Sequence, residues 1–212
     1  KKMEIDFQDL DPRLRYKILT STVIPRPIAL VTTRSADGVD NAAPFSFFNV
    51  FGENPPIIIL GLQAREPGLP KDTTRNIRET SEFVVHLVDR ALAEVMNDCA
   101  VNFPENISEF DSTKISRAKC QRVKVSRIAE APIAFECRRT LILQLNETRD
   151  LAIGEILYMH AREGIIDPES MNLNLSKYNI IGRLFDDLYT PVLETFAHTR
   201  LDHSGWLEKF RS

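Results

Sequence analysis

Glycine is scarce in this chain: eight residues in 212, and no two of them stand at i and i+2. A GxGxxG dinucleotide turn is therefore absent, and so is the GxxxxGK[ST] phosphate loop. No GxSxG elbow and no HExxH pair occurs either, which removes the common serine hydrolase and zinc peptidase signatures. The chain has no excess of basic charge. Its formal charge is −3 and its pI about 5.9, so neither nucleic acid nor an anionic membrane is expected as a partner. No apolar run approaches the ~20 residues of a membrane span. The opening Lys1-Lys2-Met3-Glu4 lacks a secretory apolar core, and a cytoplasmic protein is expected. Cysteine is rare, odd in number and widely spaced (Cys99, Cys120, Cys137), which predicts reduced thiols rather than disulfides. The four histidines show no ligand spacing beyond the loose pair His198 and His203, so no metal is expected.

What is present is strand-like. Ile28–Thr33 is a β-rich run, Ser35–Gly38 a turn, and Val39–Phe48 a returning strand, which together predict a hairpin. Ile57–Leu62 reads as a third strand, apolar enough to lie in a core. Asp72–Thr80 reads as a short helix with Asp72 as its N-cap. Phe83–Val88 is a further strand and Leu92–Ala100 a second short helix. After a polar stretch over Val101–Arg117 come two long strands, Phe135–Asn146 and Ile153–Arg162, with a turn between them. Several β runs with only short helices inserted predict a mainly β protein built as an antiparallel barrel, not alternating βαβ units. A single domain is expected over 1–212, with a core of about 20–165 and a C-terminal extension over 166–212.

Two segments carry the chemistry. Lys71 stands immediately before a helix start, where the N–H groups near Thr73 and Thr74 have no intrahelical acceptor. A helix dipole, free amides, hydroxyls and an ammonium make a phosphate receptor, to which Arg75 or Asn76 adds a donor one turn on. A capped surface helix with solvated Lys and Arg is the plainer reading of the same residues. The second segment is Asn41-Ala42-Ala43-Pro44-Phe45-Ser46-Phe47-Phe48-Asn49. Its phenylalanines fit a core equally well. Yet Pro44 is costly in a central strand and points to an edge or a bulge, where Ser46 and backbone groups can face a ligand. A flat apolar wall with a few hydrogen-bonding groups, beside a phosphate site, suits the isoalloxazine of a flavin mononucleotide. Arg26, between Pro25 and Pro27, serves either a ligand or a surface salt bridge.

In this order, Arg26–Thr33, Gly38, Asn41–Asn49, Pro55-Pro56, Lys71–Ile77 and Glu82–Val85 resemble the flavin reductase-like, FMN-binding split-barrel family. The likeness continues more loosely through Glu109-Phe110, Pro132, Phe135–Cys137 and Gly154-Glu155 with His160. That family includes flavoredoxins and the reductase components of two-component monooxygenases. The resemblance implies a Greek-key split barrel, a homodimer, and FMN held near the subunit interface and reduced by NADH or NADPH. It places Asn41, Ala43, Pro44, Phe45 and Ser46 along the flavin, and Lys71, Thr73 and Asn76 at or near its phosphate. Arg183 and Tyr189 are the candidates for closing a partner's pocket, and His160 for assisting substrate. An oxygenase or an electron-transfer protein is the implied macromolecular partner. The alternatives are a flavoredoxin-type carrier without efficient nicotinamide turnover and a split-barrel module for another ligand. Two departures stand out: His86 where Asn is frequent, and Asp186-Asp187 where glycines are common.

Overall fold

The computed structural model describes residues 2–104, 107–192 and 194–209. Helix α1 (Pro12–Thr22) opens the chain, started by Asp11, whose carboxylate accepts from the N–H groups of Arg13 and Leu14. Strands β1 (Arg26–Pro27), β2 (Ala29–Arg34), β3 (Asp40–Phe45), β4 (Phe48–Glu53) and β5 (Pro56–Gln63) follow, then α2 (Asp72–Thr80) and β6 (Glu82–Leu87). Short helices α3 (Ala93–Asp98) and α4 (Glu109–Ser112) lead to the brief strands β7 (Arg117–Ala118) and β8 (Arg127–Ile128). The long hairpin of β9 (Ile133–Asn146) and β10 (Arg149–Ala161) comes next, then β11 (Ile181–Arg183), β12 (Tyr189–Pro191) and α5 (His203–Lys209).

Seven strands form one antiparallel sheet in the order β3-β2-β6-β9-β10-β5-β4. Its two edge strands, β3 and β4, are consecutive in the chain and joined by Ser46 and Phe47 alone. A two-residue link cannot span an open seven-stranded sheet, so the sheet curls until its edges meet. The corner is tied to β5 where the Gly61 N–H donates to the Phe47 carbonyl at 2.7 Å. The result is the mainly β split barrel expected from the sequence. A second sheet, β1-β11-β12, draws part of the C-terminal extension back against the segment before β2.

The barrel interior is filled by Val31, Ile58, Leu60, Leu62, Phe83, Val85, Cys137 and Ala152, with Ile77 of α2 plugging one end. A second core lies outside β2, where Leu30 and Ala42 pack on Leu92, Met96, Cys99 and Phe110. Because β2 is covered on both faces, its sequence reads as a continuous apolar run and not an alternation. On β5 one face is covered, and Ile58, Leu60 and Leu62 are more buried than Ile57, Ile59 and Gly61.

The expected β2–β3 hairpin is present, with Ala29 opposite Phe45 and Arg34 opposite Asp40. The strand expected over Val39–Phe48 is instead two strands broken at the Ser46-Phe47 corner. The turn between the long strands is tighter than expected, with β10 starting at Arg149. Asp72 is not the N-cap of α2. That position is held by Lys71, without a side-chain cap bond, and Asp72 is the first helical residue. The three cysteines are free thiols. Among the described residues no helix is long and apolar enough to cross a membrane.

Candidate functional site

Strand β3 is an edge, as Pro44 demands, and its outward side is unusually free of donors. Ala42 N–H points away from β2 and donates to Glu109 Oε2 at 2.9 Å. Backbone groups two residues apart face the same way, so Pro44 stands at the next outward position with no N–H to give. The edge therefore presents carbonyl acceptors, which also discourages pairing with a foreign strand.

Two clefts meet along this edge, sharing Pro44 and Ala100. The first holds about 70 Å³ of water-sized space among Asn41, Ala43, Pro44, Arg65, Lys71 and Thr73, with the Cys99–Phe103 segment opposite. The second holds about 300 Å³ between Phe45, Ser46, Met96, Arg183 and Tyr189. Of the residues named from sequence, Asn41, Ala43, Pro44, Lys71 and Thr73 line the first cleft, and Pro44, Phe45 and Ser46 the second. Asn76 lines neither. It is buried, and its Nδ2 donates to Thr33 Oγ1 at 3.0 Å, while Asn41 Nδ2 donates to Thr73 Oγ1 at the same distance. Asn76 and Thr33 thus set the position of the cleft residues from below.

The polarity at the start of α2 is that of an anion receptor. Lys71 is half-buried and, among the described residues, its side chain has no hydrogen bond or ion pair. Burial, with the neighbouring Arg65 cation, lowers its pKa. The Asp72 carboxylate is turned aside, bonded to Arg65 and Arg75 at 2.5 Å each. The cleft is lined by an unpartnered ammonium, uncapped helix amides and Arg65, together with the Asp72 carboxylate, which is paired to Arg65 and Arg75, and the Glu109 carboxyl, which accepts from Ala42 N–H. An anion there would relieve the desolvation of Lys71 and satisfy those amides together.

Arg26 makes no ion pair among the described residues, and it lines the second cleft. Its buried guanidinium gathers the carbonyls of Thr20, Val23 and Leu184 and donates from Nε to Ser46 Oγ at 3.3 Å. It clamps α1 and the β11–β12 turn onto the corner, and leaves the Ser46 hydroxyl hydrogen available to the cleft. Arg183 lies over the Tyr189 ring at 4.5 Å, and both line the second cleft of their own chain. Glu109, whose carboxyl is pushed up by burial and which the sequence reading named only in the looser likeness, and Arg65, which it did not name, also line the first cleft. The clefts hold no activated nucleophile: burial pushes the Cys99 thiol up to about 12.

The two strand histidines stand elsewhere. His160 pairs with Glu136 at 2.6 Å and lines neither cleft, so it is not placed to assist a substrate there. His86 is fully buried. Its Nδ1–H donates to Leu30 O at 2.8 Å and its Nε2 accepts from Ile128 N–H at 2.9 Å, which fixes a neutral tautomer. Burial lowers its pKa to about 4.

Residues 20–181 match the sequence model of the flavin reductase like domain. The chain belongs to that family. An uncharacterized protein of Deinococcus radiodurans is 37% identical over 98% of this chain and 93% of its own length. Nitrilotriacetate monooxygenase component B from Bacillus cereus is 32% identical, covers 93% of this chain and 99% of its own, and superposes with a TM-score of 0.88. The 2-nitrobenzoate 2-nitroreductase NbaA of Pseudomonas fluorescens is 34% identical over 95% of this chain and 98% of its own, with a TM-score of 0.87.

Proposed function

We propose that this protein is an FMN-dependent oxidoreductase that takes reducing equivalents from NADH or NADPH and acts as a cytoplasmic homodimer. One observation carries the reading: Lys71 is an unpartnered, half-buried cation at uncapped helix amides, at one end of a cleft that continues into a wider slot along an edge strand. Lys71, the Thr73 hydroxyl and the first amides of α2 would hold the FMN phosphate. Asn41, braced by Thr73, and the β3 segment from Ala43 to Ser46 would line the rest of the cofactor. The outward carbonyls of β3 supply acceptors for a ring N–H, and the Ser46 hydroxyl supplies a donor.

Held by Lys71, Thr73 and the α2 amides, FMN would supply hydride-accepting redox chemistry. The protein's part is to orient two rings, and no general acid or nucleophile is called for at that step. That agrees with clefts whose thiol, Cys99, stays protonated and whose other polar lining groups are amides, hydroxyls, cations and the hydrogen-bonded Glu109 and ion-paired Asp72 carboxyl groups. The second cleft, walled by Arg183 and Tyr189, is the place for the nicotinamide or for a small electron acceptor. The similarity to a monooxygenase component B favours delivery of reduced flavin to an oxygenase partner. The similarity to NbaA favours reduction of a small molecule in the same slot.

Anaerobic mixing of the FMN-loaded protein with NADH and with NADPH tests the reading. Bleaching of the oxidised flavin absorbance by at least one nicotinamide is expected; no bleaching by either would remove the reductase assignment. Lys71→Ala should weaken FMN about tenfold or more, the worth of one charge-assisted hydrogen bond. It should leave riboflavin, which lacks the phosphate, unchanged. Equal losses for the two ligands would place Lys71 away from the phosphate.

A further inference from the structure

On the outer face of the barrel, away from both clefts, three chemically different side chains converge. Cys120 lies on the loop between β7 and β8, Glu136 on β9 and His160 on β10. One thiol sulfur, one carboxylate oxygen and one imidazole nitrogen from these residues all lie within 4.8 Å of one another. Glu136 has no solvent exposure, although it is a carboxylate. Its Oε1 accepts from Gln121 N–H at 2.7 Å and faces His160 Nε2 at 2.6 Å. Its Oε2 accepts from the N–H groups of Arg122 and Val123 at 2.6 and 3.1 Å. Those amide bonds fix the loop that carries Cys120, so the three groups are held together by backbone. Cys120 and His160 are partly exposed, which leaves an approach from solvent.

We propose that Cys120, Glu136 and His160 form a zinc site with one open coordination position. A tetrahedral zinc holds sulfur, nitrogen and oxygen ligands about 3.3–3.6 Å apart, so displacements of roughly 1 Å complete the arrangement. Thiolate with imidazole selects a borderline ion such as Zn²⁺ over Mg²⁺ or Ca²⁺, which prefer all-oxygen ligands. A thiolate, a carboxylate and a neutral imidazole together neutralise the dication. On binding, the Cys120 S–H proton leaves to solvent. The His160 proton moves from Nε2 to Nδ1, which has no protein partner among the described residues. Water takes the fourth position at the exposed side. The ion would staple the β7–β8 loop to the β9–β10 hairpin, adding to the Glu136 hydrogen bonds and the apolar packing of Val123 and Val125 on Ala134 and Leu157.

The test uses the full-length, tag-free protein, stripped of metal and loaded with Co²⁺ as a spectroscopic substitute and with Zn²⁺ for stoichiometry. One equivalent of Co²⁺ should give a thiolate-to-metal band in the near ultraviolet and tetrahedral bands in the red, clear of oxidised flavin. One Zn²⁺ per chain should remain after dialysis and raise the melting temperature. Cys120→Ser and His160→Ala, both at partly exposed positions, should each weaken the metal by about tenfold or more, since loss of even a ligand's outer-shell partner costs about that much. Cys120→Ser should also abolish the thiolate band. Circular dichroism of the metal-free variants separates a lost ligand from a lost fold. Absence of the thiolate band at one equivalent, or undiminished binding by both variants, would overturn the proposal and leave the cluster a hydrogen-bonded clasp.

Discussion

His86 shows how one residue can be written into the pH response of the whole chain. In the folded protein its ring is neutral and doubly bonded between Leu30 and Ile128, with a pKa near 4. In the unfolded chain it titrates near 6.5. Between those values the unfolded state binds the extra proton. The stability that His86 contributes is therefore complete above about pH 6.5 and is lost as pH falls toward 4. At pH 5 the loss amounts to about 2 kcal/mol. Urea unfolding at pH 7.5 and pH 5 should show a drop in the unaltered protein larger by about that amount than in His86→Asn. Equal drops would mean that the ring is solvated in the folded state. No pattern in the sequence marked His86 as a clamp, because both its partners are backbone groups brought to it by β2 and β8. The place of Lys71 at a helix start beside a cleft was legible for the opposite reason: it follows from its neighbours along the chain and the start of one helix. Arg26 was not, since its place is decided by the carbonyls that end α1 just before it together with that of Leu184, 158 residues away.

At the scale of elements, α2 is a helix whose start is better suited to a ligand than to itself. Lys71 has the extended backbone of an N-cap (φ −68°, ψ 160°) but no side-chain acceptor for the free amides. Lys71→Ser supplies that acceptor and removes a cation beside Arg65. It should stabilise the ligand-free protein by about 0.5–1 kcal/mol in urea unfolding, while FMN affinity falls. A variant that loses stability and affinity together would argue against this division. On β10, Gly154 lies so close to Phe83 that an added Cβ would meet the ring at 2.4 Å. Gly154→Ala should cost about 1–3 kcal/mol by overpacking, read as a lower urea midpoint. The strands β2, β5, β6, β9 and β10 were legible because burial on one or both faces imprints on their residue pattern. The β3–β4 break was hidden, because Phe45, Phe47 and Phe48 read as a continuous apolar strand while the corner between them is a matter of barrel closure. Helix α1 was missed for want of an apolar stripe: only Thr20 in it is buried.

For the molecule as a whole, the least comfortable surface of the isolated chain is the outer face of β9, β10 and β5. There Leu143 stands opposite Leu151, and Leu151 opposite Gly61; Leu141 stands opposite Ile153, and Ile153 opposite Ile59. Leu141, Leu143 and Leu145 are exposed. A solvent-facing sheet normally alternates apolar with polar residues, and a contiguous apolar face of this kind marks an interface. A second copy of the chain is the occupant that the homodimer reading requires. The double substitution Leu141→Glu, Leu143→Glu puts two charges into that contact. Burying an unpaired charge costs about 3–5 kcal/mol, so dimer affinity should fall by a factor on the order of 100 or more. Sedimentation of the unaltered protein should show a dimer at micromolar concentration and the variant a monomer. The face is already open to water within one chain, so the variant's circular dichroism should match that of the unaltered protein. FMN titration of that folded monomer then asks whether the partner completes the site. Lower affinity in the monomer would mean that it does, and unchanged affinity would confine the whole flavin site to the two clefts of a single chain.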